Sequence, residues 1–258
     1  STNSKAKGAN VDSVFVYGAK ISGEDAMVSA AGGLVGCANL YTNIANSSFQ
    51  GKISLPNSEN VGGIVGQART SSGVNACYAN VNATAKSNLG GIVGIAGSIQ
   101  DKCEFKNCEV RGKLTAENSV GGFIGDNYFN NISNVISHAD IVATNKSTWN
   151  GYAAGGILGV MESDWSGKAA GSVKNCVFDG SIKAFQDGKE VSSPATTHQI
   201  AGRTIADEDY AEGETPKTET RLANNYTTNN VGSTDAASVE GAYKAAKEMN
   251  KDFFAGLE

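Results

Sequence analysis

In FKNCEVRGKL (105–114) the residues after Asn107 alternate strictly. Cys108, Val110, Gly112 and Leu114 fall on one parity, and Glu109, Arg111 and Lys113 on the other. VKNCVFDGSI (173–182) repeats the pattern, with Cys176, Phe178, Gly180 and Ile182 set against Val177, Asp179 and Ser181. A period of two with one apolar side predicts a half-buried strand. IANSSFQGKI (44–53), VNACYANVNA (74–83) and ISNVISHADI (132–141) align with both, giving apolar-x-Asn-Cys-x-apolar-x-Gly-x-apolar. The Asn at the head of the strand (Asn46, Asn107, Asn134, Asn175, and Asn224 in LANNYTTNNV) suits a corner. Its short amide tolerates left-handed backbone and bonds the local main chain, so stacked corners predict an Asn ladder.

Between these strands stands a five-letter word. GGLVG, GGIVG, GGIVG, GGFIG and GGILG begin at 32, 62, 90, 121 and 155, so successive spacings are 30, 28, 31 and 34 residues. Within the word, glycines occupy both parities and leave bare backbone for a bend or a close approach. Apolar residues occupy both parities too: Val35, Val65, Val93, Ile124 and Leu158 on one, Leu34, Ile64, Ile92, Phe123 and Ile157 on the other. One column is expected to fill an interior, and the other to be covered by the chain's own loops or left as an exposed stripe.

A unit of this length holds at least two short strands and no helical pattern, and it is too small to bury its own apolar side. Stacking supplies the missing core, with equivalent strands pairing in parallel about 4.8 Å apart. The expectation is an all-β protein: a parallel β-helix, or solenoid, of five or six coils over residues 1–235, its last coil irregular across 186–235. Residues 236–258 are expected to form a helical cap, with Val239, Tyr243, Met249 and Phe253 covering the end of the core. VDSVFVYGAKI (11–21) is expected to cover the other end.

Composition agrees with a chain of tight bends: Gly 32, Pro 3, aromatics 7%. A formal charge of -5 provides no basic field for phosphates, so nucleic acid and anionic membrane are poor partners. No apolar run approaches the roughly 20 residues of a spanning helix, so no membrane insertion is expected of this segment. The chain begins at Ser1 without Met, as expected of a processed or trimmed segment.

Cys77, Cys108 and Cys176 share one inward position, with Val135 between the last two, so Cys108 and Cys176 are expected two coils apart, about 9.6 Å. That is beyond disulfide reach. Cys77 with Cys108, or Cys103 with Cys108, remain pairings in principle; free buried thiols acting as small hydrophobes are the preferred reading. With no C-x-x-C and only His138 and His198, a zinc site is not expected. Asp126, Asp164 and the acidic run 207–214 offer oxygen ligands for calcium, but read more simply as solvated loops. No cofactor is expected.

No H-E-x-x-H, G-x-S-x-G or Walker loop is present. The outward parity of the stacked strands would set Arg111 and Lys113 on one coil, His138 and Asp140 on the next and Asp179 on the one after. Acids and bases on such a face can act on a sugar chain laid along it; an ordinary solvated strand face is the simpler reading. A second candidate site lies where the coil spacing lengthens, around DNYFNN (126–131), NKSTWNGY (145–152) and MESDWSGK (161–168). Trp149, Tyr152 and Trp165 there could stack on sugar rings or pack against the coil wall.

The words and the N-C-x-[VF]-x-G-x-[IL] strand between them resemble the GLUG repeat of bacterial cell-surface, adhesin-like proteins, over residues 11 to about 185. AAKEMNKDFFAGL (245–257) is similar to the segment that commonly closes such arrays. The resemblance implies a secreted or surface-displayed module of a larger protein, such as an adhesin or the non-catalytic region of an IgA-specific metallopeptidase, and carries over no catalytic residue. The resulting expectation is a non-enzymatic, monomeric module binding glycan or a host surface protein through Arg111, His138, Asp140 and Asp179 or through the Trp-bearing insertions. A polysaccharide lyase or hydrolase, and a structural spacer, are the alternatives.

Overall fold

The computed structural model describes residues 8–97, 102–128, 130–144, 153–162, 171–186, 188–190, 197–198, 200–204, 222–223 and 225–227. The protein is all-β over these residues, a parallel β-solenoid. The expected cap at 236–258 lies outside them, as do Asn224, Asp164 and the 207–214 run.

One six-stranded sheet carries the second half of each word: Val35–Ala38, Val65–Ala68, Val93–Ala96, Ile124–Tyr128, Leu158–Glu162 and Ala201–Thr204, each parallel to the next. The sixth strand comes from HQIAGRT, so the degenerate word still closes a rung. The remaining strands form one large sheet that winds through the rest of every coil, in which Ser48–Gly62, Tyr78–Gly90 and Glu104–Gly121 are long because pairing continues across the corners. Cys108 lies opposite Val135, the register the strand pattern requires. The spacings of 30 and 28 differ because the second coil carries two extra residues between Leu55 and Glu59, where the pairing with Ala85 and Ser87 shifts.

Asn46, Asn107, Asn134 and Asn175 all take left-handed backbone, φ 48 to 56. The amides of the last three form the expected ladder, Asn175 Nδ2 donating to Asn134 Oδ1, Asn134 to Asn107, and Asn107 to Asn75, whereas Asn46 Nδ2 donates to Asp12 Oδ1. In the third coil the left-handed position is Ala76, φ 52, and Asn75 supplies the ladder amide from one residue earlier. A second ladder turns the corner just before the word. Asn60 and Asn88 are left-handed there, and Asn88 Nδ2 donates to Asn60 Oδ1 at 2.8 Å.

The word itself is a corner, which corrects the expectation of one interior and one exterior column. The strand ends at the first glycine, the next two residues bend, and a new strand starts at the fourth. Alternation is broken there, so both columns are buried in the same apolar core: Ile64 and Val65, Ile92 and Val93, Phe123 and Ile124, Ile157 and Leu158. No loop is needed to cover either one. Each glycine in the word has its own reason. A Cβ on Gly62 would sit 2.0 Å from the carbonyl oxygen of Val65 as the chain folds back. One on Gly63 would meet the carbonyl of Gly91, the same position one coil on, at 2.0 Å, and one on Gly66 would strike the backbone of Ala31 one coil before.

The first coil is a full rung that pairs on one side only and lies over the buried core of the second. Val11, Val16, Ile21, Leu34 and Val35 continue the core columns but are only partly buried.

Candidate functional site

Outward residues of neighbouring coils lie over one another because the pairing is parallel and in register. Lys113 pairs with Asp140 and Asp140 with Ser181, while Glu109 pairs with Ile136 and Ile136 with Val177. The backbone bonds His138 N–H to Val110 O and Asp179 N–H to Ser137 O fix the column between, so that Arg111, His138 and Asp179 occupy three successive coils. The strand pattern predicts these residues on the coils where they stand.

The structure adds a fourth member that sequence reasoning missed. Glu109 is 7% exposed although it lies on the outward parity. Its Oε1 accepts from Arg111 Nε at 2.7 Å and stands 3.6 Å from His138 Nε2. On its other side His138 Nδ1 meets Asp179 Oδ1. The imidazole thus bridges carboxylates contributed by the coil before and the coil after. Its Nε2 is buried and makes no hydrogen bond among the described residues. The Glu109 bond pushes Arg111 further up from its already high value, and burial raises the nearby Tyr78 phenol. The available signal for Glu109 was its place two residues before Arg111 on one strand face; its burial arises from side chains of adjacent coils.

Asp140 does not join this cluster. It stands in the next column, exposed, and accepts from the Ser181 hydroxyl. Trp149, Tyr152 and Trp165 lie outside the described residues. No group of three or more metal-binding side chains occurs among the described residues.

A carboxylate holding Nδ1 of a histidine sets its tautomer and orients Nε2, which is the positioning a general base requires. The same arrangement also ties three coils together through their side chains.

The five cysteines are free, Cys37 exposed and the others buried. Burial pushes Cys77 and Cys176 up to about 12 and Cys103 to about 11, with Cys108 raised well above its ordinary value. These inward thiols also do more than fill space: Cys108 Sγ donates to Lys106 O and accepts the Cys77 N–H, bridging a gap in the backbone ladder at the Asn corner. In an earlier coil Ser47 acts in the same way, between Val14 N–H and Ala45 O.

Fold and face together define a β-helical repeat module. A family model described as "Glug: The GLUG motif" matches residues 28–54, the first word and the strand that follows it, consistent with a GLUG-repeat protein. No curated protein and no solved structure matches the chain.

Proposed function

We propose that this chain is a non-enzymatic interaction module, secreted or displayed at a cell surface, that binds glycan or a host protein through an outward coil face or the Trp-bearing insertions. The observation that carries the reading is the in-register stacking of polar outward columns in a chain with a GLUG motif. An extended ligand lying along the solenoid axis would meet an equivalent set of side chains at every coil, about 4.8 Å apart. The test is a screen of glycans and host surface proteins against the intact chain, with Trp149→Ala/Trp165→Ala alongside. Retained ligand supports the module, and absence of any ligand supports a spacer.

One observation favours a second reading, a polysaccharide lyase or hydrolase. The Asp179–His138–Glu109 alignment holds an imidazole between carboxylates on an outward coil face. Released reducing or unsaturated sugar, abolished by His138→Ala in a chain that still folds, would replace the binding module with an enzyme.

A further inference from the structure

Resting on the binding-module reading, we infer that the outward face of the first four coils is a site for an extended anionic glycan, held by a lysine column. Pairing places Lys20 over Lys52, Lys52 over Asn82 and Asn82 over Lys113. All four are exposed. Lys20 and Lys52 are therefore like charges in direct register, about 4.8 Å apart, and Lys113 lies two steps beyond Lys52, about 9.6 Å.

Like charges directly opposite one another in a sheet are destabilising unless something neutralises them. For Lys20 and Lys52 nothing among the described residues does so, whereas Lys113 stands in register with the Asp140 carboxylate. Lys20, Lys52 and Lys113 have no ion pair, whereas Lys86 and Lys106 on other columns pair with Glu59 and Glu104. Glu109 is engaged by Arg111 and His138, and Asp140, which accepts from the Ser181 hydroxyl, closes the far end of the column beside Lys113. On one side of the lysines runs a hydroxyl column in register, Ser54 over Thr84 over Thr115. On the other, Gln50, Asn80 and Arg111 stack.

Cations spaced along a line, flanked by hydroxyls and amides, complement a linear polymer that alternates negative groups with sugar hydroxyls. A single-stranded nucleic acid would call for aromatic platforms between the cations; the lysine column contains none, and the Gln50 column beside it has only Tyr17, at its first-coil end. The net charge of -5 gives no general attraction to polyanions, so binding would depend on this face.

The experiment measures binding of polygalacturonate and dextran sulfate to the intact chain by calorimetry, across a salt series. Neutral dextran and a single-stranded oligonucleotide are the comparison polymers. Anionic glycan is expected to bind, with affinity falling as salt rises, and Lys20→Gln/Lys52→Gln/Lys113→Gln is expected to lower affinity about tenfold or more and flatten the salt dependence. Relief of the Lys20–Lys52 contact is expected to hold or slightly raise the unfolding midpoint, so that lost binding is not lost fold. Lys106→Gln/Lys174→Gln/Lys189→Gln removes equal charge elsewhere and is expected to leave binding intact. Equal loss in both triples, binding to the oligonucleotide as tight as to the glycans, or no binding to either anionic glycan would overturn the inference. Binding of a neutral glycan or a host protein that ignores the lysine triple would do so too, while leaving the module reading standing.

Discussion

The backbone N–H of Cys77 points at the Sγ of Cys108, 3.5 Å away on the following coil, and that thiol in turn donates to Lys106 O at 3.1 Å. A side chain at this position must be small, and it is best able to give and take a hydrogen bond. Cys108→Ala is expected to lower stability by about 1–3 kcal/mol, through the lost thiol volume and the orphaned N–H. Cys108→Ser reproduces what Ser47 does and is expected to stay within about 1 kcal/mol of the parent. Urea unfolding of the two variants separates packing from hydrogen bonding; equal losses would show that the bond contributes nothing.

The same buried thiols make the protein alkali-sensitive. Their values are raised in the folded chain above the ordinary 9.0, so folding favours the protonated form. Their contribution is fully present below about pH 9 and is lost as pH rises from there towards about 12, since the unfolded chain releases protons that the folded chain keeps. The slope is about 1.4 kcal/mol per pH unit for each thiol, and Tyr78 and Tyr128, also raised by burial, act in the same sense. Urea midpoints at pH 8, 9 and 10 are expected to fall a little between the first two and more steeply at the third. A thiol reagent at pH 8 is expected to label Cys37 alone until denaturant is added.

Gly63→Ala is expected to cost well over about 3 kcal/mol, because the new Cβ meets the Gly91 carbonyl, a backbone atom with no room to move. Gly18→Ala provides the contrast. Gly18 has φ 66 and nothing within 4 Å of an added Cβ, so only the left-handed strain counts against it, about 1–2 kcal/mol. Thermal unfolding ranks the two, and a milder Gly63→Ala would mean that the coils can slide apart at the word.

The His138 bridge is expected to show coupling. Glu109→Gln and Asp179→Asn each remove one charge from a largely buried group, and each is expected to destabilise by about 1–3 kcal/mol. In a double-mutant cycle His138→Gln with Asp179→Asn is expected to return an interaction of about 1 kcal/mol or more. A coupling near zero would mean that the contact does not persist in solution.

Asn107, Asn134 and Asn175 are legible as corners because the amide has a known tolerance for left-handed backbone and the position recurs. Ala76 carries the same φ with no such signature, since its neighbour Asn75 supplies the amide. The alternating strands fix the register, down to Cys108 against Val135. The glycine word departs from its expected form in one respect: parity arguments presume a continuous strand, and nothing local distinguishes a glycine that extends from one that bends, as Gly63 does. Glu109 reads as a solvated charge because His138, which stands against it from the following coil, approaches only after the coils have stacked.

The second glycines form a single file, Gly33 against Gly63, Gly63 against Gly91, Gly91 against Gly122, and Gly122 against Gly156. Each word is therefore constrained by its copies rather than by a unique environment. Partial change in one copy is penalised by the next, whereas duplication or loss of a whole coil preserves every contact of this kind. Genes encoding such a stack are expected to vary in length by whole coils through recombination between repeats. Smaller insertions are tolerated where the register already slips, as between Leu55 and Glu59.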